Sequence, residues 1–212
     1  PAIIGEFVAA AENAKAAGFD GVELHGAHGY LIDQFLRDDS NKRTDAYGGP
    51  IENRVRFALE VVEAVSKVFG KGRVGIRISP VSPANDARDS NPQALFEHLV
   101  GKLSEAGIAF IHVVEGATRD DRNYLPFDYA ALRKLFKGAY IANNLYTRDL
   151  AIEAVETGAA DAVAFGRLFI ANPDLVARLK ANAPLNTPVV ETFYGGDARG
   201  YTDYPALTDK AA

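Results

Sequence analysis

The chain has 212 residues, with 23 Lys and Arg against 28 Asp and Glu, so its formal net charge at pH 7 is −5. This acidic balance, without any basic run, argues against a nucleic-acid partner, because binding to a phosphate backbone needs clustered cations. No stretch reaches the roughly 18 consecutive apolar residues that cross a bilayer, and the lack of Cys excludes disulfides, thiolate chemistry and cysteine-held iron–sulfur clusters. We therefore expect a soluble, cytoplasmic protein that makes no membrane contact and holds any cofactor non-covalently or through nitrogen and oxygen atoms.

Helical and extended patterns alternate along the chain. Apolar residues spaced three and four apart over residues 3–17 predict an amphipathic helix that ends at Gly18. Strands are predicted at 21–26, 73–79, 110–115, 139–143 and 161–167, and helices at 55–70, 91–107, around 131–136, at 147–157 and from Asn172-Pro173 onward.

Five strands that are each reached through a helix imply a parallel sheet with right-handed crossovers. A doubly wound sheet and a (β/α)₈ TIM barrel both fit this pattern. Polar residues follow several of the strands and no Gly-rich dinucleotide fingerprint follows any of them, which favours the α/β barrel. A complete barrel has eight strands in about 250 residues. Because the sequence contains no Met and begins at Pro1 inside a predicted helix, we expect residues 1–212 to be a single domain that forms the C-terminal five βα units of a barrel.

Two imidazoles and a phenol follow the first strand. His25, His28 and Tyr30 share a short segment with glycines that let the backbone turn sharply and approach a ligand closely. The pair of His residues is suited to donating hydrogen bonds to an oxygen that gains negative charge, and the Tyr hydroxyl to supplying a proton. The alternatives are a strand-end His satisfied by the backbone, or a partial metal site that would need a third ligand.

Cationic side chains follow the second and the last strand. Arg77 lies in the apolar run VGIRIS, where a guanidinium needs an anionic or electron-rich partner. A structural ion pair is the alternative interpretation. Gly166 and Arg167 follow the last strand in the way that a barrel's phosphate-binding segment does, with Asn143 and Asn144 as the opposite wall.

Together these segments resemble one family. The motifs HGAHGYLIDQFLRDDSNKRTDAYGG, VGIRISP, ANN, AFGRLFIANPDL and TFYGG-ARGYTDYP occur in the order found in the Old Yellow Enzyme family of FMN-dependent ene-reductases. The similarity covers nearly all of the chain. It is greatest to the bacterial branch that reduces xenobiotics such as N-ethylmaleimide or nitrate esters.

The resemblance implies a role for each matching residue. His25 and His28 would hydrogen-bond the carbonyl or nitro oxygen of the acceptor, and Tyr30 would protonate the carbon alpha to that group. Arg77 would lie beside the N1/C2 carbonyl edge of the flavin. The remaining matches are Asn143, Asn144, Gly166 and Arg167 at the FMN phosphate, Phe193 at the dimethylbenzene edge, and Tyr194 at the substrate mouth.

The resemblance also implies the reaction. NADPH or NADH would reduce FMN, and an activated alkene (an enone, a maleimide or a nitroalkene) or a nitrate ester would then take a hydride from flavin N5.

In this family the first three strands supply further flavin contacts. We therefore expect FMN binding to need those strands, or another chain that closes the sheet.

Two other functions fit the sequence less well. The chain could be a non-catalytic partial barrel that lacks stable FMN binding. It could also be a flavin-free phosphate-binding barrel such as an aldolase or isomerase, which would place a catalytic Lys or carboxylate at a strand end, where this sequence has His, Arg and Asn.

Overall fold

A computed structural model of the chain describes residues 2–118 and 120–207. Its centre is a five-stranded sheet in which every neighbouring pair is parallel. The expected parallel α/β sheet is confirmed, and the sheet order follows the chain order. The strands are β1 (Val22–Gly26), β2 (Val74–Ile78), β3 (Phe110–Val114), β4 (Ala139–Asn143) and β5 (Ala162–Ala164).

Helices connect the strands and cover one face of the sheet. None of those in the described ranges is long and apolar enough to cross a bilayer. The helices are α1 (Ala2–Ala16), α2 (Leu31–Leu36), α3 (Ile51–Arg54), α4 (Arg56–Phe69), α5 (Pro92–Ala106), α6 (Tyr129–Leu135), α7 (Arg148–Glu156), α8 (Arg167–Ala171) and α9 (Leu175–Ala181). Short 3₁₀ turns lie at Lys71–Arg73, Ala84–Asp86 and Val190–Thr192.

The capping residues explain where the longer helices begin and end. The Asn91 side chain accepts a hydrogen bond from the backbone N–H of Ala94 at 3.2 Å, and α5 ends at Gly107, whose φ of 74° is left-handed. The Thr147 hydroxyl likewise accepts from the Leu150 N–H at 3.3 Å and begins α7. The structure thereby confirms the predicted start of a helix at 91, its end at 107, and the predicted start of a helix at 147.

The last strand and the last helix differ from the prediction. β5 covers only three residues instead of 161–167, because the chain turns at Gly166 and Arg167 is the first residue of α8. Asn172 does not cap a helix. Its side chain donates to the Leu168 carbonyl at 2.8 Å and accepts from the Asn186 N–H at 2.7 Å, so α9 begins later, at Leu175.

The two faces of the sheet differ in polarity. Successive strand residues point to opposite faces, and the register aligns Leu24, Ile76, Ile111 and Tyr140 in one buried row beneath the helices. The adjacent row contains His25, Arg77, His112 and Ile141, which are only half-buried or exposed. The polar row therefore lies on the face that the helices leave open.

The sheet does not close on itself in the described part of the chain. β1 pairs only with β2 and β5 pairs only with β4. Each outer strand thus has a row of backbone N–H and C=O groups without a neighbouring strand. The architecture is that of a partial barrel.

Candidate active site

A cavity of about 1050 Å³ lies at the carboxyl ends of the strands. The described residues that line it include Arg77, Arg148 and Arg167 but no Asp or Glu. In a chain whose net charge is −5, this is a local concentration of positive charge. Such a cavity favours an anionic ligand.

The cavity brings together nearly all of the residues that the sequence singled out. His25 is the exception, since it lies on β1 at the edge of the sheet, outside the cavity wall. The predicted residues in the wall are His28, Tyr30, Arg77, Asn143, Asn144, Gly166, Arg167, Phe193 and Tyr194.

The rings of His25, His28 and Tyr30 form one cluster. The centroid of the His25 ring lies 5.7 Å from that of His28 and 5.2 Å from that of Tyr30. Tyr30 is 57% exposed, so its hydroxyl is accessible from the cavity. The three side chains that the sequence grouped are therefore neighbours in space.

A tight turn presents this cluster. His28 and Gly29 both have left-handed φ angles, of 58° and 71°. A Cβ at Gly29 would lie 2.9 Å from the Cβ of Asn85 and 3.0 Å from the carbonyl oxygen of Ala84, so only glycine fits there. The His28 N–H donates to the Ser79 hydroxyl at 2.8 Å, which fixes the turn against the end of β2.

A chain of hydroxyl groups reaches the His28 ring. Thr118 Oγ1 lies 2.9 Å from His28 Nε2 and 2.8 Å from Ser82 Oγ. These contacts orient the imidazole within the cavity wall. The sequence analysis missed Thr118 and Ser82, since both lie in loops without a motif, and only their positions shortly after β3 and β2 could have pointed to them.

A buried ion pair supports the same turn from below. The Asp33 and Arg37 side chains are 0% and 1% exposed, and Arg37 Nε donates to Asp33 Oδ1 at 2.7 Å. The other Asp33 oxygen accepts from the Gly29 N–H at 2.9 Å. The Arg37 guanidinium also donates to the carbonyl oxygens of Ser79 and Pro80. The pair therefore joins α2 and the turn at residues 28–30 to the loop after β2.

Arg77 extends across the open face of the sheet without an ion-pair partner in the described ranges. Its Nη2 donates to Asn143 Oδ1 at 2.8 Å, and Asn143 Nδ2 donates to the Ala164 carbonyl at 2.8 Å. The Nε atom is buried and has no hydrogen-bond partner. Burial lowers the pKa of Arg77, an effect that the charge of Glu23 opposes. A guanidinium in this state has donor capacity left for a ligand.

Asn144 and Arg167, both predicted to lie at the FMN phosphate, differ in whether their side-chain donors are already used within the chain. The Asn144 Nδ2 donates to the carbonyl oxygens of Glu115 and Ala117, at 2.7 and 2.8 Å, so its side-chain N–H groups are committed to the loop after β3. Arg167 is exposed, and within the described residues its guanidinium has no hydrogen-bond or ion-pair partner. A Cβ at Gly166 would meet open space. Arg167 is thus the free cation on this side.

The C-terminal segment brings Phe193 and Tyr194 to the mouth of the cavity. Arg178, which is 1% exposed, pairs with Asp174 and donates to the carbonyl oxygens of Pro184 and Pro205, holding both ends of the segment. Tyr194 itself is 77% exposed.

The polar row contains a further pair that the sequence did not predict. His112 Nδ1 lies 2.9 Å from Glu23 Oε2, while His112 Nε2 is buried without a partner. Burial and then the charge of Arg77 lower the pKa of the neighbouring His25, against the opposing effect of Glu23. Across residues 2–118 and 120–207, no cluster of three or more His, Asp or Glu is arranged to hold a metal ion.

Comparison with known proteins identifies the class. The chain belongs to the NADH:flavin oxidoreductase / NADH oxidase family, whose profile matches residues 2–186. The family membership that the motifs indicated is thereby confirmed. Among curated relatives, 12-oxophytodienoate reductase 2 of Arabidopsis thaliana is 48% identical over 100% of this chain and 57% of its own length. A probable flavin mononucleotide-dependent alkene reductase of Leishmania infantum is 50% identical over 95% of this chain and 54% of its own length.

Solved structures of related proteins share the fold of this chain. Morphinone reductase in complex with tetrahydroNAD superposes with a TM-score of 0.93 at 45% identity and covers 100% of this chain. The old yellow enzyme homologue from Zymomonas mobilis gives a TM-score of 0.92 at 42% identity over 98% of this chain. The chain spans 57% and 59% of those two proteins, little more than half their length.

We predict that Asp33→Asn lowers the free energy of unfolding by about 3–5 kcal/mol, because it leaves the buried Arg37 without its counter-charge. The matched control is Glu63→Gln, which breaks a pair of the same spacing with Lys67 where both side chains are more than 70% exposed. That change should cost less than about 1 kcal/mol. Urea denaturation measures both, and equal effects would contradict the supporting role of Asp33.

We predict that His25 titrates below its usual pKa of 6.5, because burial and Arg77 disfavour its charged form. The unfolded chain then binds the proton more tightly than the folded chain, so this residue lowers stability as the pH falls through 6.5. Nuclear magnetic resonance of the imidazole measures the pKa. Arg77→Gln should raise it toward 6.5, and a His25 pKa at or above 6.5 in the unchanged chain would refute the prediction.

Proposed function

We propose that this chain carries the substrate side and the phosphate side of an FMN-dependent ene-reductase that uses NADPH or NADH. The observation on which the proposal rests is the state of Arg77, a largely buried guanidinium with a free Nε and no carboxylate partner in the described residues. It lies in a cavity with two more arginines and no acidic residue among its described lining. A negatively charged, hydrogen-bond-accepting ring system with a phosphate is the ligand that matches this donor set.

The residues present fit FMN. The cavity volume of about 1050 Å³ is at the upper end of what ligand sites usually offer. Arg77 would contact the N1/C2 edge of the flavin, and Phe193 its dimethylbenzene edge. Gly166 and Arg167 would hold the phosphate, with Asn143 and Asn144 forming the opposite wall. When bound, FMN supplies a hydride donor that a nicotinamide cofactor can regenerate.

The protein's own residues then act on the acceptor. His25 and His28 would donate hydrogen bonds to its carbonyl or nitro oxygen, which polarises the double bond and stabilises the charge that develops on that oxygen. The Tyr30 hydroxyl would deliver a proton to the alpha carbon. Tyr194, exposed at the mouth, would line the substrate's path.

We propose activated alkenes (enones, maleimides and nitroalkenes) or nitrate esters as substrates. Relatives whose names describe an alkene reductase and 12-oxophytodienoate reductases support the alkene class. The branch specialised for xenobiotics, a cytoplasmic location, the single-domain assignment of 1–212 and the lack of a nucleic-acid or membrane partner stay predictions.

The second candidate is a non-catalytic partial barrel. The two outer strands, β1 and β5, favour it, because neither has a second neighbour in the described residues. In that case the site residues would be present but FMN would not bind stably. If three further strands or another chain closed the sheet, FMN could bind stably, and the first candidate function would then apply.

We predict that the 212-residue chain alone does not retain stoichiometric FMN. The outer strands β1 and β5 have backbone groups without a neighbouring strand, so the sheet that carries the site is incomplete. The chain is incubated with excess FMN, passed through a gel-filtration column, and its flavin absorbance is compared with its protein content. A monomer that elutes with one flavin per chain would overturn this expectation.

We predict that Tyr30→Phe slows reduction of an enone by about 10²–10⁴-fold in the flavin-loaded protein whose sheet is closed by further strands, because the proton source is lost. Oxidation of NADPH by the bound flavin should be unchanged, since it needs no proton from Tyr30. Stopped-flow absorbance follows the two half-reactions separately. Tyr124→Phe is the matched control, because Tyr124 is an exposed tyrosine outside the cavity wall. Equal loss in both half-reactions, or no loss in either, would contradict the role given to Tyr30.

A further inference from the structure

A buried carboxylate next to the cavity accepts three hydrogen bonds. Glu115 follows β3 and is 8% exposed. Its Oε1 accepts from the Tyr140 hydroxyl at 3.1 Å, and its Oε2 accepts from the Tyr146 hydroxyl at 2.7 Å and from Arg122 Nη2 at 2.6 Å. The Arg122 guanidinium also lies over the Tyr146 ring, 3.9 Å from its centroid. Glu115 thus joins the loop after β3 to strand β4 and to the turn that follows it.

That turn, which we call the β4–α7 turn (residues 143–146), has an unusual backbone. Asn144 and Leu145 are consecutive non-glycine residues with φ angles of 97° and 53°. Left-handed conformations cost free energy for residues with a side chain, most of all when they are not Asn or Asp. Surrounding contacts must therefore hold the turn. Tyr146 supplies one of them, through Glu115, at its C-terminal end.

The two tyrosines remain donors over the working pH range. Burial first, and then the charge of Glu115, raise the pKa of Tyr140 well above its usual value and also raise that of Tyr146. Both phenols therefore stay protonated and donate to the carboxylate. Glu115 is an acceptor for both of them and the counter-ion of Arg122.

The β4–α7 turn forms part of the wall described above. It begins at Asn143, whose side chain holds Arg77, and Asn144, Leu145 and Tyr146 all line the same cavity as Arg167. A shift of the turn would move this wall relative to the free guanidinium. The position of the turn therefore decides the shape of the phosphate side.

We propose that Glu115 is a positioning residue that fixes the β4–α7 turn, and with it the phosphate side of the cavity, by accepting hydrogen bonds from Tyr146 and Arg122. The link to the phosphate rests on the function proposed above. The anchoring of the turn does not, since it follows from the contacts of Glu115 alone.

Two conservative variants separate anchoring from general stability. Tyr146→Phe removes the hydroxyl that ties the turn to Glu115. Tyr140→Phe removes the other hydroxyl on the same carboxylate, but on strand β4, where the backbone is held by the sheet. Glu115→Gln keeps the side-chain size and weakens both contacts, and provides a second route if Tyr146→Phe does not fold.

Two measurements are made on each variant. Hydrogen–deuterium exchange of the amides at 144–147 reports on the turn without any ligand, and fluorescence titration with FMN reports the Kd. For Tyr146→Phe and Glu115→Gln we expect about tenfold faster exchange in the turn and an about tenfold higher Kd, which is close to the lower end of what a hydrogen bond to a charged acceptor contributes. For Tyr140→Phe we expect a lower melting temperature, with exchange at 144–147 and Kd changed less than about twofold.

The outcomes are distinguishable. Equal acceleration of exchange in Tyr140→Phe and Tyr146→Phe, or none in either, overturns the anchoring role of Glu115. Selective loosening of the turn with an unchanged Kd overturns its link to the phosphate. The FMN titration uses the protein whose sheet is closed by further strands, because the 212-residue chain alone is not expected to retain FMN. If that closed form binds no FMN, selective loosening still supports the anchoring role, and the failure counts against the proposed function.

Discussion

The hydrogen bonds from Arg77 to Asn143 and from Asn143 to the Ala164 carbonyl organise the open face of this sheet. The first bond joins β2 to β4, which are not neighbours, and the second joins β4 to β5. A guanidinium without a carboxylate partner is costly to bury. Among the described residues, the Arg77 guanidinium donates a hydrogen bond only to the amide oxygen of Asn143. Its buried Nε has no hydrogen-bond partner there. The cavity therefore contains a buried donor that a ligand can use.

Much of the scaffold could be predicted from local chemistry. Asn91, Gly107 and Thr147 act through their own backbone surroundings, so their capping roles are visible in the sequence. The parallel register then places the ends of the strands at one edge, which is why motifs separated by more than a hundred residues line one cavity. His28 and Arg167 are an example, since both lie in its wall.

The parts that could not be predicted depend on contacts between distant segments. α2 and α8 are only six and five residues long, too short to give a periodic pattern. Asn172 resembles a helix cap in sequence, but its side chain is taken by Asn186 and Leu168. Thr118 reaches His28 only because the loop after β3 folds over the turn after β1. Asn144 lines the cavity, but the sequence could not show that its amide also holds the loop after β3.

The contrast between the arginine-rich cavity and the acidic remainder of the chain has a consequence for ligand encounter. Beyond roughly 8 Å, the screening length at physiological ionic strength, an approaching anion is repelled only weakly by the overall charge of −5, because salt screens most of that charge and of the cavity arginines. At the entrance the field of Arg77 and Arg167 prevails, whereas the Arg148 guanidinium is already paired with Asp149 at 2.9 Å. Added salt weakens both the outer repulsion and the inner attraction, so capture of an anion by this molecule depends on close-range contacts more than on long-range steering.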